Sequence, residues 1–115
     1  MTVVRFTIAV SALFLSVPAL AAPVYLKCDI PSDGIGWPVN FALDEATGRV
    51  GIHILKTGAI DQLTGTFLVD RVLTSNNTSV YEISRVDLTI TRRTPMLKSV
   101  DKGKCQIEPP PKRAF

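Results

Sequence analysis

An all-β fold, a small antiparallel barrel of about eight short strands with a sandwich-like arrangement as the alternative, is what three observations in this 115-residue chain predict. Apolar residues recur at every second position through most of the chain, turn-forming clusters interrupt them at short intervals, and two cysteines sit near opposite ends of the folded portion. No stretch sustains the three-four periodicity of a helix.

The first 21 residues read as a targeting signal rather than as structure. Arg5 supplies a positive start, residues 6–17 (FTIAVSALFLSV) an apolar run too short to span a bilayer comfortably, and Ala19-Leu20-Ala21 a small-x-small cleavage signature. Cleavage after Ala21 leaves one domain over residues 22–108 and a proline-rich basic tail over residues 109–115. No cysteine stands at the cut to carry a lipid anchor, and no later apolar run is long enough for a transmembrane helix. The expected location is periplasmic or secreted, where a disulfide persists.

The first strand is VYLKCDI (residues 24–30), in which Val24, Leu26, Cys28 and Ile30 alternate with Tyr25, Lys27 and Asp29. Near the other end, Gly103, Cys105 and Ile107 alternate with Lys104, Gln106 and Glu108. Both cysteines fall on an apolar face, so a Cys28–Cys105 disulfide follows if the first and last strands lie side by side, the seam at which a barrel closes. A loop of that length contributes about 4 kcal/mol in the chain-entropy account, a large share for a small domain.

Between these ends, residues 31–36 (PSDGIG) form a turn-rich loop, and Trp37, Val39, Phe41 and Leu43 mark the apolar face of a second strand. A tight connection at residues 44–48 (DEATG) leads into a third, with Val50, Ile52 and Ile54 inward. Strands follow near residues 63–69 and 71–75, with at most a helical turn at residues 58–62 before them. A polar loop at residues 76–79 precedes a hairpin of residues 80–84 and 88–92, and a proline-containing connection at residues 94–101 reaches the last strand. Strands this short enclose little space, so the barrel is expected to be filled by its own side chains rather than to hold a ligand cavity.

Taken in order, YLKCD, the Trp-led hairpin with LDEATG, YEISRVDLTITR, and KGKC with its basic tail resemble small exported proteins of Gram-negative bacteria. In size, signal and strand-rich build the chain is also loosely similar to periplasmic inhibitors of C-type lysozyme. Those proteins enter the lysozyme cleft with a Ser-Gly-x-x-Tyr loop and a Lys-Gly pair. The nearest matches are Ser79-Val80-Tyr81, which lacks the glycine, and Lys102-Gly103. The resemblance implies a lysozyme-like protein as one partner class.

No constellation in the sequence declares a reaction, a metal or a cofactor. His53 is the single histidine and sits in a predicted strand without a motif around it; a small hydrolase would have to be built on it. Charge is more informative. From Arg85 onward there are eight Lys or Arg against three Asp or Glu, whereas residues 22–84 hold four against seven. Arg92, Arg93, Lys98, Lys102 and Lys104, with Lys112 and Arg113 of the tail, suit an anionic envelope polymer or an acidic protein cleft; the plain alternative is a solvated basic face. Export and the lack of interleaved aromatics argue against nucleic acid.

The leading expectation is therefore a non-catalytic binding or inhibitory module. Its candidate surface comprises Trp37, Ser79, Tyr81, Arg92, Arg93, Lys98, Lys102, Gly103 and Lys104, with Trp37 and Tyr81 as aromatic anchors if exposed. A small periplasmic hydrolase built on His53 and a structural envelope protein are the alternative classes.

Overall fold

The structure, a computed structural model, describes residues 22–110. The segment read as a signal, residues 1–21, and the end of the tail, residues 111–115, lie outside the described residues. Eight strands run in chain order: β1 (Val24–Asp29), β2 (Pro38–Asp44), β3 (Arg49–Ile54), β4 (Ala59–Phe67), β5 (Arg71–Ser75), β6 (Val80–Ser84), β7 (Thr89–Thr94) and β8 (Ser99–Glu108). Each pairs antiparallel with its sequence neighbour, and β8 returns to β1, closing the barrel. The closed barrel, rather than the sandwich, is the fold.

Cys28 lies directly opposite Cys105 in the β1–β8 ladder, and the two are bonded with their Cα atoms 3.9 Å apart. That span is shorter than the usual disulfide range of about 4.4–6.8 Å. The same tight crossing appears at Gly103, where an added Cβ would stand 2.0 Å from the Asp29 carbonyl oxygen and 2.9 Å from Ile30 Cα. Glycine is what lets β1 pass so close over β8. Past the crossing, Ile30 turns fully into the core and its N–H donates to the Trp37 carbonyl.

The alternation read from the sequence is the alternation of the barrel wall. Leu26, Val39, Phe41, Val50, Ile52, Val72, Tyr81, Ile83 and Ile90 are all buried inside, as a sheet with one wet face requires. Phe41 on β2 and Tyr81 on β6 meet edge-to-face across the interior, with ring centroids 5.5 Å apart. At this level the barrel is filled by its own side chains.

Four local expectations are corrected. Trp37 precedes β2 instead of leading it, because Pro38, which has no N–H to give a ladder, takes the first strand position. Residues 59–62 are strand, not a helical turn; all four are exposed, so neither face gave the sequence a period. This front half of β4 pairs with β3 alone, since the β4–β5 ladder holds only Gly65–Thr74, Thr66–Leu73 and Phe67–Val72. Leu88 lies outside β7 with φ of +61°, and the connection between β7 and β8 shrinks to a single 3₁₀ turn, Pro95–Leu97.

Replacing Cys28 and Cys105 together by Ala is expected to cost about 2–5 kcal/mol of unfolding free energy, read as a lowered urea midpoint. Gly103→Ala, which keeps the disulfide, is expected to cost about 3 kcal/mol by overpacking the crossing. An unchanged midpoint for Gly103→Ala would show that β1 can shift aside.

Candidate functional site

Because neighbouring strands run antiparallel, the connections after β1, β3, β5 and β7 gather at one end of the barrel. Three of them are the loops whose residues the sequence nominated for contact. The structure brings these loops together but turns several of the nominated side chains inward. Tyr81 is 1% exposed and Ser79 and Arg92 are buried with it. The exposed tyrosine anchor is thereby corrected to a core residue.

Most of these polar groups find partners within the core, although the buried Arg92 Nε has none among the described residues. Arg92 Nη2 donates to Asp101 Oδ2 at 2.9 Å across the β7–β8 pair, and Ser79 Oγ lies 3.2 Å from Thr94 Oγ1. Asn76 Oδ1 accepts from the Ser79 N–H at 2.8 Å. The half-buried Trp37 ring closes the cluster, with Arg92 Cζ 5.7 Å and Lys56 Nζ 5.6 Å from its centroid. Burial pushes the Tyr81 phenol above its ordinary value, and the nearby Arg92 charge only partly opposes this. This end of the barrel is a polar plug.

The outward-facing cations are arranged differently. Among the described residues, Arg71 meets Asp70 and Glu82, Arg93 meets Glu82, Arg85 meets Glu45 and Arg92 meets Asp101. Lys27, Lys98, Lys102 and Lys104 enter no ion pair. Lys102 and Lys104 stand on one face of β8, with stems about 7 Å apart by strand geometry. Lys104 is opposite Thr89 on one side and Asp29 on the other; Lys102 is opposite Thr91; Lys27 is opposite Gln106 on the adjoining strand. A shallow depression of about 530 Å³ runs here, lined by Asp29, Thr89, Thr91, Lys102, Gly103 and Lys104. Ammonium and hydroxyl donors on one wall can hold anionic oxygens.

Lys98 is exposed but separate, at a left-handed position after the 3₁₀ turn. Gly103 belongs to the crossing and presents no side chain. Lys27 was missed by the sequence reading, although the signal was present. Once Cys28 is set against Cys105, the antiparallel register puts Lys27 against Gln106 and Asp29 against Lys104 without further information.

His53 faces outward on β3 between Asn40 and Ile60, in a separate open groove of about 540 Å³ that Tyr25, Asp61 and Gln62 also line. No group of three or more His, Cys, Asp or Glu among the described residues is placed to hold a metal ion. No helix among them is long and apolar enough to cross a membrane. The chain is thus a disulfide-closed, eight-stranded antiparallel barrel with a lysine-bearing wall, and its disulfide is consistent with an oxidising compartment. No protein-family model, curated protein or solved structure matches it.

A raised phenol pKa has a direction in stability. Below about pH 10 the Tyr81 phenol is neutral in both folded and unfolded chains, so its contribution is fully present. Above that, the unfolded chain ionises first and the contribution is lost as pH rises through the folded value. Unfolding free energy should therefore fall above about pH 10, and Tyr81→Phe should remove that part of the fall. Denaturant titrations of both proteins between pH 8 and pH 11 check this.

Proposed function

We propose that this chain is a non-catalytic binding module, exported to an oxidising compartment, whose β7–β8–β1 wall receives an anionic polymer of the cell envelope. The observation that carries the reading is the division among cations. Among the described residues, each arginine from β5 onward is paired, whereas Lys27, Lys102 and Lys104 project from adjoining strands with no carboxylate bound to them. Lysine is a flexible, strongly hydrated point charge that meets polyanions without demanding a fixed bidentate geometry. The threonine hydroxyls beside it add donors, and Asp29 at the edge of the depression sets one limit to where negative charge can lie.

A cleft-entering role like that of the lysozyme inhibitors has less support. With Ser79 and Tyr81 buried, only Lys102 of the residues implied by that resemblance remains exposed.

The test uses soluble polymers of equal length. The domain should bind dextran sulfate and ignore neutral dextran, and Lys102→Glu with Lys104→Glu should weaken binding at least tenfold while leaving the unfolding midpoint unchanged. Binding should also weaken as salt is raised from 50 to 200 mM. Equal affinity for both dextrans, or no loss on charge reversal, would overturn the reading. Inhibition of a C-type lysozyme that Lys102→Glu abolishes would replace the polymer with a protein cleft.

A further inference from the structure

The end of the barrel opposite the polar plug is built from the same strands but is open and apolar. A cavity of about 280 Å³ enters there, walled by Leu26, Leu43, Phe67, Val72, Ile83 and Leu88. Arg85 and Glu45 stand at its rim as a pair, with Arg85 Nη2 2.9 Å from Glu45 Oε1 and Arg85 Nη1 donating to the Leu68 carbonyl at 2.8 Å. An apolar well with an Arg–Glu pair at its lip has the form of a site for an amphiphile whose head group exchanges with Glu45.

Leu88 is the part of this wall that the fold goes out of its way to place. Its φ of +61° is a conformation that leucine adopts only at a cost, accepted where the side chain packs against the core beside the cavity. The surrounding turn is tied down on every side. Ser84 Oγ accepts from the Val86 and Asp87 N–H groups, Asp87 Oδ1 accepts from the Thr89 N–H and hydroxyl, and the Leu88 carbonyl accepts from the Cys105 N–H at 2.8 Å. Glycine at this position would relieve the backbone, and leucine instead lends a side chain to the cavity wall. A strained residue held by that many bonds at the lip of an apolar cavity is a feature of sites rather than of turns.

We propose that this open end binds one short aliphatic chain of up to about eight carbons bearing a carboxylate, the chain seated in the mouth of the barrel and the carboxylate on Arg85 in place of Glu45. Volume sets an upper bound on the length, since a water-sized group takes about 30 Å³ in a liquid and the open cavity of about 280 Å³ holds on the order of nine at most. The head group follows from the rim, because a guanidinium already engaged with a carboxylate through both of its Nη atoms has the geometry to take another. This site is distinct from the lysine wall, which lies on the outer face of β7, β8 and β1, whereas the cavity is lined by inward-facing residues.

The test is a series of straight-chain carboxylates, from butanoate to dodecanoate, titrated into methyl-labelled protein and followed by NMR. Affinity should rise about fourfold per methylene up to about eight carbons and then level off. The shifting methyl groups should be those of Leu43, Val72, Ile83 and Leu88. Octanol should bind more weakly than octanoate, and Arg85→Gln should erase that difference. Leu88→Gly should lose at least tenfold in octanoate affinity without losing thermal stability. Should it unfold, Val24→Glu, which sets a negative charge at the rim, serves the same purpose by repelling the carboxylate while the wall stays intact. Affinity that climbs without a plateau, shifts confined to the lysine wall, no saturable binding, or unaltered octanoate binding in the folded Leu88 or Val24 variant would each overturn the proposal.

Discussion

The β1–β8 seam is the constraint on which the rest of this barrel depends. Seven of its eight strand pairings join neighbours in sequence through short connections, and each is inexpensive in loop entropy. The eighth brings together residues 77 apart and turns an open meander, with two exposed edges, into a closed wall. The Cys28–Cys105 bond acts on that step by confining the unfolded chain, and Gly103 permits the strand crossing that the bond holds. Register then propagates from the seam, since fixing one opposed pair fixes which residues face in along both strands.

Where burial follows polarity, the sequence was legible. The alternation in β1, β2, β3, β5 and β6 marks the core directly, and the disulfide could be reached from the faces on which the cysteines lie. The reading failed where polarity and burial part. Ser79, Tyr81 and Arg92 look like surface residues because a sequence displays their polar atoms and not their surroundings; Asp101 partners Arg92 and Thr94 partners Ser79 in the core. Leu88 looked like a strand residue because hydrophobic periodicity carries no information about the sign of φ. Ala59–Gln62 looked unstructured because a strand wet on both sides leaves no period to detect.

The candidate sites follow the same division. That the C-terminal third is basic could be counted; which of its charges are occupied could not. Arginine, with a planar fork suited to carboxylates, is used from β5 onward for internal and cross-strand pairs, and lysine is left to solvent. The apolar cavity had no counterpart in the sequence, since its wall is made of residues that read simply as core. Strand count alone suggested a filled interior, and the middle of the barrel is filled, around Phe41 and Tyr81. The two ends differ because one is stoppered by Trp37 and its cations and the other is lined by aliphatic side chains.

The one-sided pairing at the front of β4 leaves a length of backbone from Ala59 to Leu63 with no ladder partner on its β5 side among the described residues. Such a rim is a template onto which a strand of a second molecule can add, and Ile60, 74% exposed, would favour the addition. Asp61 and the polar Gln62 that follow it, with Gly58 in a left-handed turn just ahead, interrupt what would otherwise be a flat and sticky border. The guard of this rim against strand addition is thus local, a polar pair on β4 and the turn ahead of it, and does not depend on the disulfide that holds the barrel shut.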